Sequence, residues 1–485
     1  MKVVLIKAPY LQIFGPMRQS APRYFPLGLE YIAAALRAAG HEVVFLDPEI
    51  QGLSDADLIQ RLQAEAPMFV GIGCATPNFN VAHQLAERIK RTLQVVTVLG
   101  GIHASSVPRE ILEHHPEFDV LVIGEGEETV VELAAVIDVY GLAPQHLAGI
   151  KGIGYRQHDR VVLNPRRALK SDIDTIPFPA RDLVGFDKYK SPAHLELGKR
   201  TANMITSRGC PARCTFCESW RTLGNKFRGH SPAYILAEIE HLVTTYGVEH
   251  VIFNDDTFTW DMERAQAVCE GLLEKNLGVT WFAFSRVDTV TRELLALMKR
   301  AGCVSLNFGV ESGDVHMLEV MKKGATLEQA RQALRWSREL GFKTLASFLF
   351  GLPGETAASI ERTINFAIEL NPHIALFNAL VPFPGTEVYA RFPQFHTTDA
   401  RELAAFKTAS AGGEPLFIAE GLTARALKRA LVQANRRFYL RPTYLVEQLR
   451  WMTSFDVAMA NLVGAVGLLR KTWRIASARR YSDYG

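Results

Sequence analysis

Two series of short apolar runs, each run followed by a helical pattern, constrain this chain more than any other feature of its sequence. In the first series the runs are Val3–Ile6, Val43–Leu46, Phe69–Cys74, Val95–Leu99 and Val120–Ile123. Each is rich in Val and Ile, is bounded by Gly, Pro or Asp, and lacks the polar alternation of a half-exposed strand, as buried parallel strands do. Helical periodicity fills the gaps, for example from Leu27 to Ala39 with Gly40 as a stop. The fold class is therefore α/β, and residues 1–145 are expected to form a flavodoxin-like doubly wound sheet. Ligands on such sheets bind beyond the carboxyl ends of the strands, where Gly100-Gly101 and Gly124-Glu125-Gly126 fall.

Residues 146–200 are irregular and rich in Pro, Arg and Asp, which predicts a linker with a small hairpin near Tyr155–Leu163. A second series then places strands at 201–207, 249–254, 280–285, 303–310, 344–350 and 374–380. Helices fit at 231–246, 261–276, 291–300, 326–340 and 356–370. Six βα units over 201–395 predict a partial (β/α)6 TIM-like barrel, with its chemistry at the carboxyl ends of the strands. Residues 396–485 read as a helical, basic C-terminal domain.

At 485 residues, with 48% hydrophobic and 22% charged residues, the chain has ample material for two or three globular domains. The first residues hold only a four-residue apolar run, which does not make a signal peptide, so a cytoplasmic location is expected. The longest near-apolar stretch, Val457–Leu469, is too short to span a bilayer. The net charge of +3 is unevenly spread: residues 421–485 carry twelve Arg or Lys against three acids, so that tail is +9 and the remainder −6. Two readings of the tail stand side by side. One is a solvated basic face on a helical domain; the other is an interfacial helix at Val457–Leu469 touching the inner face of the membrane. No nucleic-acid-binding module is present, since the tail matches no RRM, KH or zinc-finger pattern.

The chemistry is concentrated in one loop. Three of the six cysteines, Cys210, Cys214 and Cys217, fall within eight residues, spaced C-x3-C-x2-C, directly after the first strand expected of the barrel. Thiolates are the ligands of iron–sulfur clusters, and this spacing lets three sulfurs reach three irons of a [4Fe–4S] cluster. With no fourth cysteine close by, one iron stays open to a chelating molecule. Zinc is the rival, but closed structural zinc sites take four ligands, usually as two pairs. The other cysteines, Cys74, Cys269 and Cys303, read as small buried apolar residues.

On these residues the chain resembles the radical S-adenosylmethionine superfamily, in which the same triplet follows the first strand and an aromatic, here Phe216, precedes the third cysteine. The resemblance implies a cluster that reductively splits S-adenosylmethionine to methionine and a 5′-deoxyadenosyl radical. It also implies cofactor-binding positions at further strand ends. Asp255 or Asp256 would hold the methionine amine, and Arg286 would bind its carboxylate bidentately. Glu311 and Ser312 would meet the ribose hydroxyls, and the Gly351-Leu352 backbone would pack on adenine.

The first domain resembles the cobalamin-binding domain of one large subclass of that superfamily, through Pro26–Ile32, Leu99–His103, Gly124–Glu127 and, in the tail, Arg437–Pro442. Thr76, Gly100, Gly101, His103, Gly124, Glu125 and Gly126 are the implied cobalamin contacts, with His103 alternatively a hydrogen-bonded structural residue. The Asp-x-His-x-x-Gly motif that supplies a histidine to cobalt is absent, because Pro-Glu-Ile-Gln-Gly follows Asp47. The subclass implies methylation of an unactivated carbon of a small-molecule, lipid or pigment substrate. The alternatives are a non-methylating cyclisation or ring contraction, as in anaerobic magnesium-protoporphyrin ester cyclases, and a sensor without turnover. A flavodoxin or ferredoxin would supply electrons.

Overall fold

The structure is a computed structural model that describes residues 1–11, 13, 23–189, 199–393, 396, 415, 417–418 and 420–451. The chain forms two compact units. One comprises residues 1–189, 218–228 and 383–407, the other residues 190–217, 229–382 and 408–485.

The first unit is built on a seven-stranded sheet. Its parallel part contains β1 (Lys2–Lys7), β2 (Glu42–Leu46), β3 (Phe69–Gly73), β4 (Val96–Gly100) and β5 (Val120–Val122), ordered β2-β1-β3-β4-β5. That is the doubly wound order expected from the alternating pattern, with its reversal between β1 and β3. The register is regular, from Val3 beside Val43 on one flank of β1 to Val3 beside Phe69 on the other. Buried Val3, Val4, Leu5, Ile6, Val70 and Ile72 explain the absence of polar alternation: both faces of these strands are covered.

The stretch read as a linker does more than connect. Its hairpin, β6 (Ile153–Gln157) and β7 (Arg160–Leu163), continues the sheet antiparallel from β5, with Leu121 opposite Gly154. Ile153 and Tyr155 are buried, so this edge belongs to the core of the unit. Nearby, buried Arg181 approaches Glu30 of the Pro26–Ile32 motif at 3.6 Å, and the Ala180 N–H donates to the Glu30 carbonyl.

The second unit carries six parallel strands in sequential order: β8 (Thr201–Met204), β9 (His250–Phe253), β10 (Thr280–Arg286), β11 (Cys303–Glu311), β12 (Lys343–Phe350) and β13 (Ile374–Ala379). Each strand lies beside its predecessor, the arrangement of an incomplete TIM-like barrel. Intervening helices begin at side-chain caps. Ser231 accepts from the Tyr234 N–H with Pro232 next, Thr291 accepts from Leu294, and capping boxes at Thr326/Gln329 and Thr356/Ser359 start two more. Aromatic packing of Phe253, Phe258 and Trp281, with Trp281 donating to the Ala301 carbonyl at 2.8 Å, fills one side of the sheet.

The described C-terminal residues form helices Ala424–Tyr439 and Pro442–Trp451. The Arg437–Pro442 motif stitches the first of these to the last βα unit. Arg437 grips Glu361 at 2.6 and 2.8 Å, Arg441 bonds Asn371, and the Tyr439 hydroxyl meets both the N–H and the carbonyl of Ala375 on β13. Val457–Leu469 and the basic residues after it lie outside the described residues. Among the described residues no helix is long and apolar enough to cross a membrane.

Candidate active site

β8 delivers the chain to the cysteine loop, and Gly209 turns it there with φ of 80°. The loop is pinned from its own unit: Thr215 N–H donates to the Met321 carbonyl at 3.0 Å, and Cys217 N–H to the Cys214 carbonyl at 3.2 Å. Cys214 is buried, whereas Cys210, Phe216 and Cys217 are half-buried. Burial raises the pKa of both Cys210 and Cys214 thiols, and Lys323 and Arg286 oppose that rise at Cys214. Thiols grouped on one loop, two of them in electrostatic contact with each other and with cations, suit an anionic metal–sulfur group.

The two acids after β9 take different positions. Asp255 is buried and fully engaged: it accepts from the Thr206 N–H at 2.6 Å, the Ser207 N–H at 3.2 Å and the Thr206 hydroxyl, with Arg264 at 3.5 Å. It latches the approach to the cysteine loop. Asp256 is exposed, and its charge adds to the rise of the Cys210 thiol. Only Asp256 therefore presents its carboxylate beside the loop.

Arg286 ends β10 buried next to Cys214, but its fork is taken. Asp288 accepts from Nε at 2.8 Å and Nη2 at 2.7 Å, and the Lys323 carbonyl accepts from Nη2 at 2.6 Å. A free bidentate guanidinium was expected; the neighbouring Asp288, two residues on, occupies that geometry. Glu311 ends β11 with φ of 69° and binds buried Lys323 at 2.9 Å. Gly309 leaves room for the pair, since a Cβ there would lie 2.5 Å from Glu311 Oε1 and 2.7 Å from Lys323 Nζ. Lys323 escaped the sequence reading because it lies in a turn after a short helix; the signal was its place in Met321-Lys322-Lys323-Gly324.

Ser312 turns inward. It is fully buried, bonded to Thr363 Oγ1 at 3.0 Å, and accepts from the Asp314 N–H at 3.1 Å, so it closes the turn instead of reaching a ribose. At the end of β12, Gly351 (φ 91°) and Leu352 direct their N–H groups to Glu355 Oε2, the second at 3.2 Å. Leu352 is completely buried. The expected adenine platform is thus a turn closed on Glu355, and its N–H groups are already used.

In the first unit the strand ends carry glycines. Gly101 adopts φ of 108°, and a Cβ on it would sit 2.2 Å from the Cys74 carbonyl oxygen; Cys74 N–H donates to the Gly100 carbonyl. Only glycine permits this approach of the β3 and β4 ends. Gly124, with φ of 85°, faces open space and donates to Ser105 Oγ at 2.9 Å, while Gly126 packs tightly on Ile32 and Val122. Glu125 is held bidentately by Arg228 at 2.7 and 3.0 Å. A cavity of about 530 Å³ adjoins Gly124 and Glu125.

Thr76 and His103 form a buried pair with a 3.1 Å hydrogen bond, His103 lying against Phe79 with ring centroids 4.3 Å apart. Burial lowers His103 to a pKa of about 3, so the imidazole is neutral and braces the loop from inside. Exposed Gly101 and the open space at Gly124 suit the approach of a large ligand to the strand ends; the buried imidazole does not fit a cobalt ligand. Cys74 and Cys269 are buried with thiols raised to about 12, and Cys303 is raised well above its ordinary value.

A doubly wound sheet with a glycine-lined edge and a partial barrel with a thiol loop after its first strand define a cofactor-dependent enzyme class. Residues 17–134 match the B12 binding domain, and residues 204–367 match the Radical SAM superfamily. The chain is 32% identical, over 87% of its own length and 90% of the other's, to an uncharacterized methyltransferase of Pyrococcus horikoshii. It is 30% identical to the anaerobic magnesium-protoporphyrin IX monomethyl ester cyclase of Rubrivivax gelatinosus, over 75% of this chain and 65% of that one. Among solved structures it resembles the radical S-adenosylmethionine methyltransferase TsrM of Kitasatospora setae, which has cobalamin and a [4Fe–4S] cluster bound. The TM-score there is 0.68 at 21% identity, covering 81% of this chain and 74% of the other. The chain belongs to the cobalamin-binding radical S-adenosylmethionine enzymes, whose cofactors are a [4Fe–4S] cluster, S-adenosylmethionine and cobalamin.

Proposed function

We propose that this chain is a C-methyltransferase acting on an unactivated carbon of a small molecule. The observation that carries the proposal is the joint presence of the cysteine loop with its cationic neighbours and the glycine-edged first sheet, in a chain similar along most of its length to an uncharacterized methyltransferase. When bound, the cluster would supply the electron that cleaves S-adenosylmethionine, and cobalamin would carry the methyl group.

The protein's own residues hold and orient. Cys210, Cys214 and Cys217 take the metal–sulfur group, and Phe216 covers it. Asp256 receives the methionine amine, and its exposure beside Cys210 supports that role over Asp255. Arg286 and Lys323 form a cationic wall that attracts the methionine carboxylate without a fork. The second oxygen of Glu311 is the acceptor for ribose, and the Gly351–Leu352 turn borders adenine. Backbone at Gly100, Gly101, Gly124 and Gly126 approaches cobalamin. A reduced flavodoxin or ferredoxin donates electrons, and the near-apolar stretch Val457–Leu469 with the basic residues after it favours a lipid-like substrate or contact with the inner membrane face. The cytoplasm is the proposed location.

Anaerobic turnover in cell extract with methyl-deuterated S-adenosylmethionine tests the reading. Deuterated methyl in one product, alongside deoxyadenosine, is expected. Deoxyadenosine without label transfer would favour the cyclisation reading, which the cyclase relative supports. Neither product would leave a sensor.

A further inference from the structure

Away from the strand ends, the first unit holds a cluster that the reactions above do not use. His83, on the helix Phe79–Thr92, and His115 and Glu117, in the turn after the helix Pro108–His114, bring three donor atoms together. His83 Nδ1 lies 2.5 Å from Glu117 Oε1, His115 Nδ1 lies 3.1 Å from the same oxygen, and the two Nδ1 atoms are 3.3 Å apart. We propose that His83, His115 and Glu117 form a zinc(II) site that ties this helix to this turn.

Ligands at about 2.0–2.1 Å in a tetrahedron stand roughly 3.3 Å apart along each edge. The Nδ1–Nδ1 separation matches that edge, the His115–Glu117 edge is close to it, and the short edge opens by a rotation of the half-buried His83 side chain. Two imidazoles and one carboxylate are zinc donors; magnesium and calcium call for oxygen shells. His115 and Glu117 side chains are about 6% and 5% exposed, against 18% for His83. The site therefore opens on one side, where one water would complete four-coordination. An octahedral ion would require three outside ligands.

The surroundings hold these donors in place before any metal arrives. Arg156, on β6, donates to the carbonyls of Leu112, Pro116 and Phe118 and fixes the turn that presents His115 and Glu117. Thr97 Oγ1 donates to the Glu117 carbonyl at 2.5 Å. The edge of the His115 ring faces Phe79 in a T-shaped contact at 4.9 Å. Supports of this kind orient first ligands and raise metal affinity.

The full chain with its cluster reconstituted should be equilibrated in buffered zinc(II), assayed for zinc, and measured by zinc K-edge X-ray absorption. One zinc per chain is expected, in a shell of nitrogen and oxygen with imidazole scattering and no sulfur. His83→Gln, which keeps the volume of a partly exposed side chain, should weaken zinc binding by about 100-fold or more, as should Glu117→Gln. Far-UV dichroism and the melting curve of the zinc-free variants should match the parent. A sulfur-containing shell, zinc on the cysteine triplet alone, no binding at micromolar zinc, or an unchanged affinity in His83→Gln would each overturn the proposal.

Discussion

The strand ends of the two units solve the problem of holding a cofactor in opposite ways. In the barrel unit they carry charged residues, most of them committed to one another: Asp255 with Thr206 and Arg264, Arg286 with Asp288, Glu311 with Lys323. In the sheet unit they carry glycines whose missing side chains let backbone segments close up or face open space. One surface is a pre-set electrostatic frame around reactive thiols; the other is a backbone edge shaped by what is left out. A frame of charges should fail by losing chemistry and ion pairs, and a glycine edge by steric strain.

The largest effect expected is chemical. Replacing any one of Cys210, Cys214 or Cys217 with Ala should reduce deoxyadenosine formation to background while cobalamin, read by its visible spectrum, still binds. Loss of both together would erase the distinction between the units. Next, Lys323→Met leaves Glu311 buried without its cation and should cost about 3–5 kcal/mol in chemical denaturation. The double change Lys323→Met with Glu311→Leu should recover most of it, and a double variant as unstable as the single would contradict the account.

Gly101→Ala puts a methyl against the Cys74 carbonyl in a backbone conformation that side chains rarely adopt. A loss of roughly 2–4 kcal/mol is expected, with cobalamin binding weakened and iron content retained. An unchanged melting point would sink the steric argument. A finer test separates Asp255 from Asp256. Asp255→Asn should cost about 1–3 kcal/mol through its buried donors, whereas Asp256→Asn should stay within about 0.5 kcal/mol of the parent and raise KM for S-adenosylmethionine. The reverse pattern would swap their roles.

The smallest effect is pH-dependent. Burial raises the Glu355 carboxyl to about 7, against the pull of the Gly351 and Leu352 N–H groups. Its folded-state pKa thus exceeds the unfolded value of about 4.3. The protonated form stabilises the fold fully below that lower value, and the contribution disappears as pH rises through 7. Between pH 5 and 8 the parent should lose on the order of 1–3 kcal/mol more than Glu355→Gln. Parallel pH profiles would show that Glu355 is ionised throughout.

The strands were legible because burial on both faces leaves an unbroken apolar run, so the barrel strands begin and end within about three residues of where periodicity placed them. The cysteine loop was legible for a different reason: its spacing has few other uses. What the sequence hid was the pairing of charges. Asp255 and Asp256 are adjacent and chemically equal, and only the backbone path decides which points inward to Thr206. Ser312 follows a true strand end yet turns inward, because Glu311 adopts a left-handed conformation there. Lys323 sits in a turn with no periodicity, and its partner is twelve residues back. The hairpin near Tyr155–Leu163 was legible, but its pairing with β5 was not, because an antiparallel edge of four or five residues carries no mark of which strand it joins.

The Tyr439 hydroxyl has a consequence for how this chain can be cut. β13 is the last strand of an open parallel sheet, and the outward N–H and carbonyl of Ala375 are what an adjoining strand from another molecule would pair with. Tyr439 occupies both, and Arg437 and Arg441 clamp its helix over that edge. A fragment ending at residue 420 would keep every cysteine and every strand of the barrel, yet it would bare an adhesive edge. It would be expected to self-associate before any question of activity could be asked.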